Sequence, residues 1–448
     1  MRRPNPLLAV IGILVFVVSS QPSSFELAGS TEEHAIRWPA KTIQIALSSS
    51  LTAPSPAVKA NTDVLGAVHR ALQSWSRAAG VTFVEVPSPL QSISPASKGD
   101  GVSLITIAGT EDNLAVFAEG NTTARTRVFY DPETGEITEA DVVINPYPYS
   151  QDGTPLQFST DETAGTYDLE STLAHEIGHV LGLSHSNVIG ATMQTSQALN
   201  GTYGLPAITE RSLSEADETA VRSLYELGNK TGSIEGRILN SIEGNLRPAA
   251  GAHLWFEDVE TGKVVASTVT APNGKFTVSS VPAGNYRAMI EHVDDGQSLG
   301  ERKLAWRPFR SVEMRSRLRV AADKTTPLTY VLVPPQNSAP TLNPRFLGLN
   351  GELSTVPVPV VPGSKITLYV GGDAVDRVPG TGFVLSSSLM TIDAASLKRE
   401  DFYNSAPVIS FEVTVAANAA PGEYTLKLQA NSGETAYLVG ALTVTPAK

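Results

Sequence analysis

The run His175-Glu176-Ile177-Gly178-His179-Val180-Leu181-Gly182-Leu183-Ser184-His185 constrains this chain more than any other stretch. On a helix, four residues advance about 400°, so His175 and His179 lie one turn apart on one face. Both rings can then bind one metal ion. Glu176 sits beside the first ring and can reach a metal-bound water without being a ligand. Gly182 stands three residues past His179, where the helix must stop and the chain turn back. Glycine accepts the left-handed conformation that such a helix-terminating turn requires. The turn can bring His185 in as a third ligand. Three protein ligands leave the fourth tetrahedral position of Zn²⁺ open, which separates catalytic from structural zinc. Taken alone, HExxH also describes an amphipathic helix with ordinary polar His and Glu. The glycine, the third histidine and the following Met193, in Ala191-Thr192-Met193-Gln194, argue against that plainer reading.

The rest of the chain must be more than one core. Its 448 residues exceed what one hydrophobic core holds, so two to four domains are expected. Hydrophobic content of 41% and charged content of 17% describe folded material. The net charge of −12, from 33 basic and 45 acidic residues, argues against nucleic acid as a partner, and no Lys/Arg block offers a local patch. Residues 1–20 begin Met1-Arg2-Arg3, continue as an apolar run from Leu7 to Val18 and end in Ser19-Ser20. That pattern is expected of a secretory signal peptide, which implies a secreted, extracellular protein. The run is short for a membrane span, with an uncleaved anchor as the alternative. A short segment, 21–36, follows. No other stretch reads as transmembrane.

Periodicity separates two textures. Residues 38–47, 81–86 and 102–107 alternate as strands, and 127–130 and 137–144 read as a hairpin about Asp131-Pro132-Glu133-Thr134-Gly135. Residues 62–79 read as a helix stopped by Gly80, 167–181 as the metal-binding helix capped near Asp168, and Ser214-Glu215-Ala216-Asp217 as a capping box opening a last helix. Three helices and a mixed sheet over 37–228 form one α/β (α+β) unit. From Gly232 helical periodicity disappears. Short alternating runs are punctuated by Glu260-Thr261-Gly262, Pro272-Asn273-Gly274 and Pro282-Ala283-Gly284, the signature of β-sandwiches. Residues 334–340 read as a linker between an all-β unit at 231–334 and another at 338–448. His253 and His292 of the former read as surface or packing histidines.

Residues 37–228 resemble a matrixin-like metzincin zinc metalloprotease. The resemblance rests on the eleven-residue run with Met193 behind it and Ser186 after the third histidine. It also rests on Trp38-Pro39, Trp75, Glu139-Ala140-Asp141 before Val142-Val143-Ile144-Asn145, and Leu213-Ser214. It implies a catalytic domain with a mixed twisted sheet and three helices. It further implies one catalytic zinc on His175, His179 and His185, Glu176 as general base, and Met193 as the Met-turn beneath the metal. A protein or peptide substrate would lie antiparallel to an upper edge strand, expected between Leu114 and Tyr130.

Three departures limit that resemblance. The chain has no cysteine, so it holds no thiolate to block the zinc. It has no histidine between His69 and His175, so the second, structural zinc of animal relatives is not expected. Gln194-Thr195-Ser196 replaces the Pro-x-Tyr stretch that walls the specificity pocket. Ca²⁺ is a further candidate cofactor, since Asp131, Glu133 and Asp141 sit near loops, with solvated loop acids as the plainer reading. Residues 231–334 resemble a carboxypeptidase regulatory-like, transthyretin-type sandwich through Gly232-Ser233-Ile234-Glu235-Gly236-Arg237-Ile238 and Val281-Pro282-Ala283-Gly284-Asn285-Tyr286. Residues 338–448 resemble an immunoglobulin-like sandwich through Ala420-Pro421-Gly422-Glu423-Tyr424. Such sandwiches are candidates for binding cell-surface or matrix components. The expectation is a secreted zinc endopeptidase. The alternative is a cell-surface binding or adhesion protein whose metzincin-like domain is inactive.

Overall fold

The computed structural model of the protein describes residues 26–27, 35–118, 122–150, 152–205, 211–228, 230–242, 244–293, 299–302, 309–336, 340–402 and 406–445. The expected signal peptide lies outside them, as does 337–339 of the expected linker. Among the described residues, no helix is long and apolar enough to cross a membrane.

The N-terminal unit is built on one six-stranded sheet. Its strands are β1 (Glu26–Leu27), β2 (Thr42–Ser48), β3 (Thr82–Ser88), β4 (Leu104–Thr106), β5 (Ala124–Tyr130) and β6 (Ile137–Ile144). They lie in the order β1-β5-β6-β4-β2-β3. Only β5 and β6 pair antiparallel, with Thr126 opposite Val142 and Val128 opposite Ala140. The other pairings are parallel, so the sheet is mixed. The parallel neighbours β2 and β3 are joined by helix α1 (Val64–Ala79), as a parallel crossover requires. Asp63 opens α1 by accepting the Gly66 N–H at 3.0 Å, and its buried face is Val68, Ala71, Leu72 and Trp75. That spacing is the 3.6-residue period read from the sequence.

Helix α3 (Leu169–Val180) packs against α1 and lies over β5 and β6. It is buried on nearly every side, which a single amphipathic stripe could not satisfy. Helix α4 (Glu215–Leu224) closes the unit, with Ser214 accepting the Asp217 N–H at 3.0 Å. Two expectations need correction. A fourth, one-turn helix, α2 (Glu111–Ala115), joins the three expected ones, and the edge strand expected between Leu114 and Tyr130 is β5, beside which β1 takes the outermost place in the sheet. The α2 sequence carries a cap, Thr110, but it is too short to show a period. The loop acids also divide. Asp131 stays in the hairpin turn, accepting the Glu133 and Thr134 N–H groups. Asp141 is buried in β6, accepts the N–H groups of Ser94 and Leu104, and is pushed up to about 8, chiefly by burial.

From Thr231 onward the chain is β-rich. One sheet carries Thr231–Ile242 between Lys275–Pro282 and Thr325–Val333; a second centres on Ala252–Asp258 and Gly284–His292. Ile234, Ile238, Phe276 and Val278 of the first meet Leu254, Phe256, Ala288 and Ile290 of the second in one apolar core. A further sheet pair follows. Asn343–Leu349, Lys365–Asp373 and Val408–Val415 form one side, and Gly422–Gln429 and Thr435–Val444 the other. The units are packed, not strung. Helix α4 lies on strands Val264–Val269 and Lys275–Pro282, with Thr219 Oγ1 donating to Val265 O at 2.9 Å. Val188, Ala191 and Ala216 of the N-terminal unit share a buried cluster with Trp255, Met289, Tyr437 and Val439.

Candidate metal centre

Helix α3 is fixed at both ends before any metal is considered. At its start, Asp168 Oδ1 accepts the Ser171 N–H at 2.9 Å, and the same carboxylate is held by Arg211. Arg70 Nε on α1 reaches Glu170 at 2.7 Å. At its end, the last carbonyls of a helix lack intrahelical partners. Trp38 Nε1 donates to Val180 O at 2.8 Å and Tyr225 Oη to Leu181 O at 3.1 Å. Gly182 then turns the chain with φ of 94°. A Cβ there would lie 2.1 Å from Ile36 O, so neither the conformation nor the space admits a side chain. Met193 is buried directly beneath α3. A Cβ on Gly178 would lie 2.2 Å from its Sδ, so the bare helix surface is what lets the methionine sit there.

The turn brings His185 back to the helix. His179 Nε2 lies 3.1 Å from His175 Nε2 and 3.2 Å from His185 Nε2. Among the described residues, these three are the group whose ligating atoms converge, all within 4.8 Å. Two imidazoles bound to zinc at 2.0–2.1 Å with tetrahedral angles place their nitrogens about 3.3–3.4 Å apart, so the spacing fits. The tautomers fit as well. His175 Nδ1 lies 2.8 Å from Thr192 O, and His179 Nδ1 lies 2.7 Å from Leu183 O. A carbonyl only accepts, so both Nδ1 atoms carry the proton and both Nε2 atoms present lone pairs. Lone pairs facing one another at this distance repel unless a cation stands between them. Burial holds all three rings below the usual imidazole range, His175 to about 4 and His185 to about 3, so they are neutral at pH 7 as ligation requires.

Glu176 is 1% exposed and lies beside this cluster on the side of β5. Burial pushes its carboxyl up to about 7; the Thr126 hydroxyl and the nearby Arg125 charge oppose that shift. Thr126 Oγ1 donates to Glu176 Oε2 at 2.5 Å. Beneath the histidines, Thr192 N donates to Asp217 Oδ2 at 2.7 Å, so the first turn of α4 holds the loop that orients His175. Burial pushes Asp217 up to about 6.

The structure thus gathers His175, Glu176, His179, Gly182, His185 and Met193 in one place. Sequence reasoning missed Thr126, Arg125 and, as a support for Thr192, Asp217. No local signal marks the first two. Asp217 carried only a helix-capping signal, and its side chain turns out to serve the loop as well.

Comparison with known proteins agrees with the geometry over this unit. Residues 37–226 match the matrixin family model. Interstitial collagenase of Equus caballus is 28% identical over 167 residues, covering 36% of this chain and 28% of that protein. The chain therefore spans less than a third of the curated relative it matches. Among solved structures, a minor pilin of Streptococcus agalactiae is 13% identical, covers 25% of this chain and 48% of its own, and gives a TM-score of 0.17. The major pilin BcpA of Bacillus cereus is 11% identical over 46% of this chain and 67% of its own, with a TM-score of 0.18. No shared fold follows from scores that low. The family match and the collagenase similarity support a matrixin-like domain at 37–226, and this domain carries the three converging imidazoles.

Proposed function

We propose that this protein is a secreted zinc endopeptidase. The observation that carries the reading is the convergence of three neutral imidazole lone pairs beside a buried carboxylate. Zinc held by His175, His179 and His185 would supply a Lewis acid for the scissile carbonyl and lower the pKa of a water. Glu176 takes a proton from the attacking water and returns it to the leaving amine. A carboxyl whose affinity for protons lies near neutrality suits both transfers, and burial sets it there. Thr126 holds the carboxylate's orientation from β5. An extended peptide would pair antiparallel along β5. Residues Glu26–Leu27 lie on that same edge, parallel to β5, so a substrate strand would displace them. The basic start and apolar run of residues 1–20 support export.

The test is Glu176→Ala. The variant keeps its fold and one tightly bound zinc per chain, and loses casein cleavage by about 10²–10⁴-fold, the range of a general base. Cleavage at the unaltered rate would overturn the assignment, as would wild-type protein that binds no zinc.

A further inference from the structure

The loop that completes the metal centre does not end in the N-terminal unit. Its near half touches the ligands. Thr192 O accepts the His175 Nδ1 proton at 2.8 Å, and Ser186 N, next to His185, donates to Met193 O at 2.8 Å. Gln197 Nε2 returns to α3, donating to Thr172 Oγ1 at 2.8 Å. Its far half is held elsewhere. Ile189 N donates to Val439 O at 2.7 Å, a main-chain bond to the C-terminal sheet pair. Tyr203 is fully buried, in the same apolar core as Leu347, Val356 and Val358 of that sheet pair. Its hydroxyl lies 3.0 Å from Val356 O. Its N–H donates to Glu352 at 2.7 Å and its carbonyl accepts from Asn350 Nδ2 at 2.8 Å. Tyr203 also has φ of 61°, a conformation costly for a tyrosine and held here by contacts on both sides of the peptide.

We infer that the C-terminal sheet pair is a positioning part of the metal centre. It clamps residues 189 and 203, and so fixes the loop that presents His185 and orients His175. The inference rests on the zinc reading above, but its physical content is separate. Groups that orient metal-bound histidines change metal affinity by about 10–100-fold when lost. Here that orientation runs from Thr192 through a loop anchored on two strands of another core. Tyr203 is then a positioning residue that touches neither metal nor substrate.

The experiment uses the full chain. Tyr203→Ala empties the clamp, Tyr203→Phe keeps the ring in the core, and the pair Asn350→Ala with Glu352→Ala removes the outer contacts to the Tyr203 carbonyl and N–H without touching the core. Zinc release to a chromogenic chelator, amide exchange over residues 186–205 and the split between kcat and KM are measured for each. Tyr203→Ala is expected to release zinc about tenfold faster, with faster exchange in the loop and a raised KM. Tyr203→Phe should restore most of the difference. If Tyr203→Ala fails to fold, the Asn350→Ala/Glu352→Ala pair carries the test, with the same changes in direction. Wild-type zinc release and unchanged loop exchange in the folded clamp variants would overturn the inference while leaving the peptidase reading intact. Wild-type protein without zinc would overturn the peptidase reading, and loop exchange would still decide whether the clamp acts.

Discussion

Two buried histidine sites in this molecule differ in what surrounds the ring. At the metal centre, His175 and His179 each donate Nδ1–H to a main-chain carbonyl, and their Nε2 atoms face a common point with that of His185. In strand Ala252–Asp258, His253 is as buried as His179, at 1% exposure, while His175 and His185 are half-buried; it stacks on Trp255 with ring centroids 5.2 Å apart. Among the described residues neither of its nitrogens has a hydrogen-bond partner, and the carboxylate oxygen of Glu291 is 3.9 Å away. His253 is a packing residue. Burial alone does not separate the two sites, since His179 and His253 are both 1% exposed. Only directed carbonyls, which fix the tautomer, turn one of them into a ligand set.

The sharpest way to break this contrast is to delete one ring from each site. His179→Ala removes the nitrogen that both other ligands approach, and zinc content should fall from one per chain to near zero, with loss of cleavage. His253→Ala should leave zinc content and cleavage unchanged. Metal analysis of the two purified variants decides. Zinc lost from the His253 variant would mean that burial, and not carbonyl orientation, defines the site.

A smaller effect is expected at Thr126, whose hydroxyl favours the ionised form of Glu176. Thr126→Val keeps the shape and removes that donor. The acid limb of the pH–rate profile should move upward, and kcat should drop by about ten- to a hundredfold, the range of a charge-assisted hydrogen bond worth about 1.5–3 kcal/mol. An unmoved limb would show that the bond does not act in the working enzyme.

How legible all this was depends on distance along the chain. The eleven-residue run, the Asp168 cap and the Ser214 cap are local, so helix geometry alone places them, and the structure has each at the expected position. The strands followed from alternation. The Thr126–Glu176 bond spans 50 residues and the Tyr203–Val356 bond 153, and nothing in either partner's neighbourhood announces the other. Thr126 is one polar residue in Ala124-Arg125-Thr126-Arg127, and Tyr203 reads as one aromatic in a loop. Long-range pairing is decided by how whole cores meet. The sequence texture showed three such regions and gave no sign that the last would reach into the loop of the first.

The weakest expected effect lies where a buried acid of the C-terminal sheet pair meets that loop. Glu423 packs against Gly190, is 6% exposed, and has one carboxylate oxygen without a partner among the described residues. Burial, reinforced by the charge of Asp217, pushes it up to about 8. In the unfolded chain it ionises near 4.5. Between those values the unfolded state has lost the proton and the folded state keeps it, so rising pH favours unfolding across the window from about 4.5 to 8. Below the window both states are protonated and the cost vanishes; above it the cost is constant. Glu423→Gln has no proton to lose. Its Tm advantage over the wild type should therefore widen from pH 5 to pH 8, by roughly 2–4 °C for each kcal/mol of difference. Thermal melts of the two proteins across that range check it. Parallel Tm curves would mean that Glu423 ionises as freely in the folded protein as in the unfolded chain, and that this junction tolerates the charge that the metal centre's own acid is buried to restrain.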